Sequence, residues 1–140
     1  MNERFSNSKA LAFAYTWLFG AIDTATGLGL VLRPDPTLTA MGLDASAYSH
    51  ALIRFIGAFV FANGSLYLWG AAIARLRVSP EPLRPVWFAT AWVRLCVASV
   101  TAYLIIEGSL ESAWVSVPIT DATLAVIQIL WLSSPRFPQK

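Results

Sequence analysis

The sequence predicts an all-α integral membrane protein, a four-helix bundle that crosses the bilayer four times as one domain over residues 1–140, with N- and C-termini cytoplasmic. Three observations predict it. The first is composition: of 140 residues, 56% are hydrophobic and only 13% charged, and the mean hydropathy is +0.59. A soluble domain carries roughly 25% charged residues, because a small body has much surface for its volume. Here there are too few charges to coat a water-facing globule. The second is the presence of four segments near the ~20 apolar residues that a helix needs to cross the hydrocarbon core. The third is the distribution of basic residues over the connections between those segments.

The first span covers roughly residues 10–32. Arg4 and Lys9 precede it much as they would a signal peptide. The apolar run is too long for one, however, and no small-x-small cleavage site follows it cleanly, so it is expected to remain as a span. Arg33-Pro34-Asp35-Pro36 ends it, since the residue before a proline is pushed out of helical geometry. The loop from Arg33 to His50 is the longest exposed connection, and its Met41-Gly42-Leu43 and Tyr48 suit a short interfacial segment.

The second span covers roughly residues 51–74 and the third 85–106. Ser79-Pro80-Glu81-Pro82 separates them, and Pro85 suits a first helical turn. Glu107-Gly108-Ser109 closes the third span. The fourth covers roughly residues 113–132, with Pro118 one turn in, where its missing N–H costs little. Ser133-Ser134-Pro135 ends it.

Orientation follows from the ten basic residues. Arg4, Lys9, Arg75, Arg77, Arg84, Arg136 and Lys140 fall on one side, and only Arg33 and Arg54 on the other, beside Asp35, Asp44, Glu107 and Glu111. Basic residues collect on the cytoplasmic side, so both termini are expected there. Trp69, Trp87 and Trp131 would lie near the inner interface and Tyr48, Tyr103 and Trp114 near the outer one, where amphipathic rings form belts.

The tenth basic residue, Arg94, lies inside span three. Asp23, Asn63 and Asp121 lie inside spans one, two and four. At 1.5 Å of rise per residue, each of the four is roughly 14–20 Å from the inner end of its helix. Four helices thus deliver a polar group to nearly one depth. A charge there costs about 3 kcal/mol or more, so the economical arrangement has Arg94 bridging Asp23 and Asp121, with Asn63 completing the hydrogen bonds. The planar guanidinium can serve two carboxylates at once. Asp23 shares a face with Thr16, Gly20 and Gly27, Arg94 with Ala91, Ala98 and Thr101, Asp121 with Ala125 and Gln128, and Asn63 with Phe59 and Gly70. Small residues at such spacing suit close helix packing in lipid.

Two carboxylates against one guanidinium leave one negative charge over, to be met by a proton or by a cation. The layer therefore has a functional reading and a structural one, in which it only fixes which helix packs on which. Gln128 and Arg54 are lesser candidates, and Arg54 is expected to snorkel to head groups. Cys96 and His50 stand alone, so no metal site and no cofactor are implied. Cys96 is expected to be a buried small hydrophobe.

Gly20-Ala21, Ala25 and Gly27 recur 37 residues on as Gly57-Ala58, Ala62 and Gly64. An apolar span ending in Leu-Arg-Pro, a loop with Met-Gly-Leu, then Leu52-Ile53-Arg54-Phe55-Ile56-Gly57-Ala58 and a later Gly64 resembles small bacterial four-span membrane proteins of the DoxX-like kind over roughly the first half of the chain. That resemblance implies a multi-pass four-helix bundle of the cell inner membrane, sometimes linked to quinone-dependent oxidation or to assembly of a larger enzyme. It transfers no site residue.

Three functions remain open. The first is a non-catalytic subunit or accessory protein packed with a membrane complex, for which the lack of a nucleophile–base pair, metal set or phosphate loop speaks. The second is a small homo-oligomeric carrier of a proton or solute through the Asp–Arg–Asp layer. The third is an enzyme or binder acting on a lipid-soluble, quinone-like molecule. The partners expected are membrane lipid, with a membrane protein, further copies of the chain or a lipid-soluble ligand. Without a basic stripe, nucleic acid is not among them.

Overall fold

The computed structural model describes residues 2–77, 79 and 81–134, with side chains from residue 9 onward. Pro80, Pro135, Arg136 and Lys140 lie outside the described residues, as does the side chain of Arg4. The helices are α1 (Asn2–Leu32), α2 (Pro34–Ala40), α3 (His50–Leu76), α4 (Leu83–Glu107) and α5 (Ser116–Leu132), with single 3-10 turns at Ala45–Ala47 and Ser112–Val115.

Arg33, at φ −139°, interrupts the first helical run for one residue only. Pro34 then serves as the first residue of α2, where a ring-fixed φ favours helix and no N–H is needed. The connection after α1 packs its apolar residues against the helices. Leu38 and Leu43 are buried with Leu30, Ile53 and Trp114, and a left-handed Gly42 (φ 79°) turns the chain between them. Asp44 caps the following 3-10 turn. The Ser46 hydroxyl and N–H both donate to its carboxylate and hold it below the usual carboxylate range. At the end of α4, Gly108 takes the left-handed conformation (φ 81°), and the Ser109 and Leu110 N–H groups turn back to the Leu104 carbonyl.

The four long helices run antiparallel in succession, the up-and-down arrangement that short connections dictate. Along the α1–α3 seam, Gly20 lies against Tyr67, Gly64 against Thr24, Gly27 against Phe61 and Gly57 against Leu30. A Cβ on Gly27 or Gly64 would overlap the backbone of the facing helix. The recurrent glycines of the two segments thus belong to one seam, where small residues let backbones touch. On the other side of the bundle α4 packs along α5. The two pairs are pinned together where Gly70 of α3 meets Val86 of α4, near the short connection between those helices.

α3, α4 and the stretch Ser112–Leu132 are each long and apolar enough to cross a membrane. α1, at 31 residues, has the length but is more polar, since Thr16, Asp23, Thr24 and Thr26 interrupt it. Phe88, Trp92, Ile106 and Leu130 are all exposed on the outside of the bundle, as a surface solvated by lipid requires and one solvated by water would not tolerate. The aromatic belt expected from the sequence is partly a packing feature. Trp87 is fully buried and meets Trp131 edge-on at 5.3 Å, and Trp114 is buried against Tyr48 at 5.6 Å.

Candidate functional site: a buried polar layer at the foot of an apolar cleft

Two apolar clusters close the bundle at its ends. One is built on Ala12, Tyr67, Ala74, Leu83 and Trp87, the other on Leu30, Leu38, Leu43, Ile53 and Trp114. Between them all four long helices contribute to one charged layer. Arg94 of α4, 4% exposed, extends its guanidinium across the bundle. Its Nη2 donates to Asp23 Oδ2 of α1 at 2.5 Å, and its Nη1 donates to Asp121 Oδ1 of α5. Asn63 Nδ2 of α3 donates to the same Asp23 Oδ2 at 2.9 Å. The structure brings together Asp23, Asn63, Arg94 and Asp121 in the arrangement that charge pairing alone recommends.

The fifth member was not evident from the sequence. Arg94 Nε donates to the Tyr67 hydroxyl at 3.3 Å, and the guanidinium carbon lies 5.7 Å from the Tyr67 ring centroid. All three guanidinium nitrogens are thereby engaged. Tyr67 stands one helical turn after Asn63, and that i, i+4 spacing was the signal available.

Gln128 is fully buried but belongs to a second, uncharged set nearer the Trp87 end. Its Nε2 donates to Thr90 Oγ1 at 2.9 Å, and Thr90 donates to the Val86 carbonyl. Beside it Trp87 Nε1 donates to Thr16 Oγ1 at 2.9 Å. Thr24 Oγ1, Asn63 Oδ1 and Gln128 Oε1 are buried polar atoms with no hydrogen-bond partner among the described residues. Arg54 is exposed on the first turns of α3, away from the layer. Phe59, expected on the face of Asn63, borders the same open cleft as Asn63 while remaining 64% exposed, and Gly70 is buried. Cys96 is exposed rather than buried.

Above the layer, toward the Trp114 cluster, the bundle is not filled. A cleft of about 770 Å³ runs between the helices. Asp23, Asn63, Arg94 and Asp121 line its foot, Ile56, Val60, Val97 and Leu104 its walls, and Tyr48 and Trp114 its far end. Its walls come from both α3 and α4, which meet closely where Gly70 lies against Val86. It opens sideways past Phe55, Phe59 and Val100, all exposed and all part of its lining. Cys96 belongs to that lining too. Such a cavity, apolar along its length with a few convergent polar groups at one end, is the usual form of a small-molecule site.

No protein-family model, curated protein or solved structure matches the chain.

Proposed function

We propose that the chain is a four-span protein of a cell inner membrane, both termini cytoplasmic, that holds a lipid-soluble molecule in the α3–α4 cleft with its polar end at the Asp23–Asn63–Arg94–Asp121 layer. The observation that carries this reading is the coincidence of the two features: the one apolar cleft described here is floored by the charged layer. A layer that only fixed helix packing would gain nothing from an adjoining void, which forfeits dispersion contacts on every wall. The sideways mouth between Phe55, Phe59 and Val100 suits a ligand arriving from the bilayer rather than from water.

This is a binding role and fits a non-catalytic component of a larger membrane assembly. The resemblance to DoxX-like proteins favours the same setting. The seven-to-two bias of basic residues supports the orientation, and α1 would make the fourth crossing because it is packed along the whole of α3.

Because Cys96, the single cysteine, is exposed, a cysteine on the cleft wall provides the test: Ile56→Cys in a Cys96→Ser background. In native membranes it should react slowly with a lipid-soluble maleimide, because the cleft is occupied. Stripping bound molecules with a harsh detergent should raise the rate several-fold, and returning the extract should restore protection. Equal rates before and after stripping would contradict an occupied cleft.

A further inference from the structure

The polar floor of the cleft is one-sided in its hydrogen bonding. Arg94 donates one N–H each from Nε to Tyr67, Nη1 to Asp121 and Nη2 to Asp23, and its two remaining N–H groups sit on a side chain only 5% exposed. One of the two Asn63 amide N–H groups donates to Asp23. Asp23 uses only Oδ2 and Asp121 only Oδ1, so Asp23 Oδ1 and Asp121 Oδ2 make no hydrogen bond among the described residues. Exposure follows the same division. The Arg94 side chain is 5% exposed, those of Asp23 and Asp121 15% and 16%. A molecule standing in the cleft therefore meets carboxylate oxygens, with the guanidinium behind them. No second basic residue lines the cleft, so the ionised layer carries one net negative charge, in a setting where an unmatched charge is costly.

We infer that the cleft selects a cationic amphiphile: a protonated amine that donates hydrogen bonds to Asp23 and Asp121, carried on a single apolar chain lying along α4. This rests on the reading of the cleft given above and adds the chemistry of its head group. Anionic head groups meet two carboxylates and are rejected. A neutral hydroxyl finds acceptors but leaves the charge unmatched. Chain length follows from the walls: Leu104 lies ten residues, or about 15 Å, along α4 from Arg94.

Three probes of one chain length decide the matter. Dodecylamine, dodecanol and dodecanoate are added to the full-length protein in phosphatidylcholine nanodiscs at neutral pH, and thermal unfolding is followed against probe concentration. Val97→Trp, which adds bulk to the cleft wall, is measured alongside to subtract effects on the bilayer. The amine should stabilise wild type with an apparent affinity about tenfold above that of the alcohol, as a charge-assisted hydrogen bond supplies. The carboxylate should give no stabilisation. Asp121→Asn, which brings the layer to neutrality, should abolish the advantage of the amine over the alcohol. If the alcohol matches the amine in wild type, or the carboxylate binds best, the inference on charge is overturned while the cleft remains a binding site. If no probe distinguishes wild type from Val97→Trp, the binding role itself is lost. The wild-type comparison decides these outcomes even if Asp121→Asn does not fold.

Discussion

At the scale of the residue, Arg94 is the most constrained group in the protein. It cannot be neutralised by losing a proton, so its burial depends on having an anion beside it. The structure supplies two, and the consequence is non-additive. Asp23→Asn or Asp121→Asn alone leaves Arg94 with one carboxylate and should cost modestly. The double variant leaves a buried guanidinium with none, which in general costs about 3–5 kcal/mol. Its loss should exceed the sum of the singles by on the order of 1–3 kcal/mol, measured by unfolding of all four proteins in one detergent. Simple additivity would mean that Arg94 is solvated or anchored elsewhere. Arg94 and its two acids were legible in the sequence because charge inside an apolar run has few acceptable fates. Tyr67 and Trp87 were not. An aromatic residue in such a run reads equally as a lipid-facing ring, and only the packed bundle reveals that these two are buried with their polar atoms bonded.

Among the elements, the α1–α3 seam holds the layer in register. Asp23 and Asn63 meet because Gly64, against Thr24 beside them, and Gly27, against Phe61 one turn further along, let the two backbones touch. Gly27→Val would force the Phe61 backbone away, so it should destabilise by about 1–3 kcal/mol. Ala25→Val, on the exposed side of the same helix, should stay within about 0.5 kcal/mol. Thermal unfolding of the pair checks this, and equal effects would place the seam elsewhere. The glycine pattern was visible as a repeat, but repetition says nothing about which segments face each other. The cleft had no sequence signal at all. It depends on how the helices are set against one another, and hydrophobic periodicity encodes faces rather than their relative placement. α2 was missed for a local reason: Arg33-Pro34 reads as a stop, yet a proline can also begin the next helix.

At the scale of the whole molecule, composition and three long apolar helices mark a membrane protein, and orientation rests on the basic residues. Reporter fusions after Lys9, between Ser79 and Arg84, and at Lys140 should all read cytoplasmic, and a fusion near Asp44 should read exterior. A cytoplasmic signal at Asp44 would reverse the orientation. α1 is the informative helix here: Thr16, Asp23 and Thr24 make it more polar than the three candidate spans, and under the proposed topology it would need α3 beside it to cross.

The proposed binding role requires that the cleft above Arg94 be occupied in the membrane. Native mass spectrometry of the protein released gently from its own membrane tests this most directly, with Val97→Trp prepared in parallel. Wild type should fly with an adduct of one defined mass, that of a single-chain amphiphile, and Val97→Trp should fly without it while keeping the same fold by circular dichroism. Bare protein in both preparations, or the same adduct on both, would contradict the claim that the polar layer serves as the floor of a binding site.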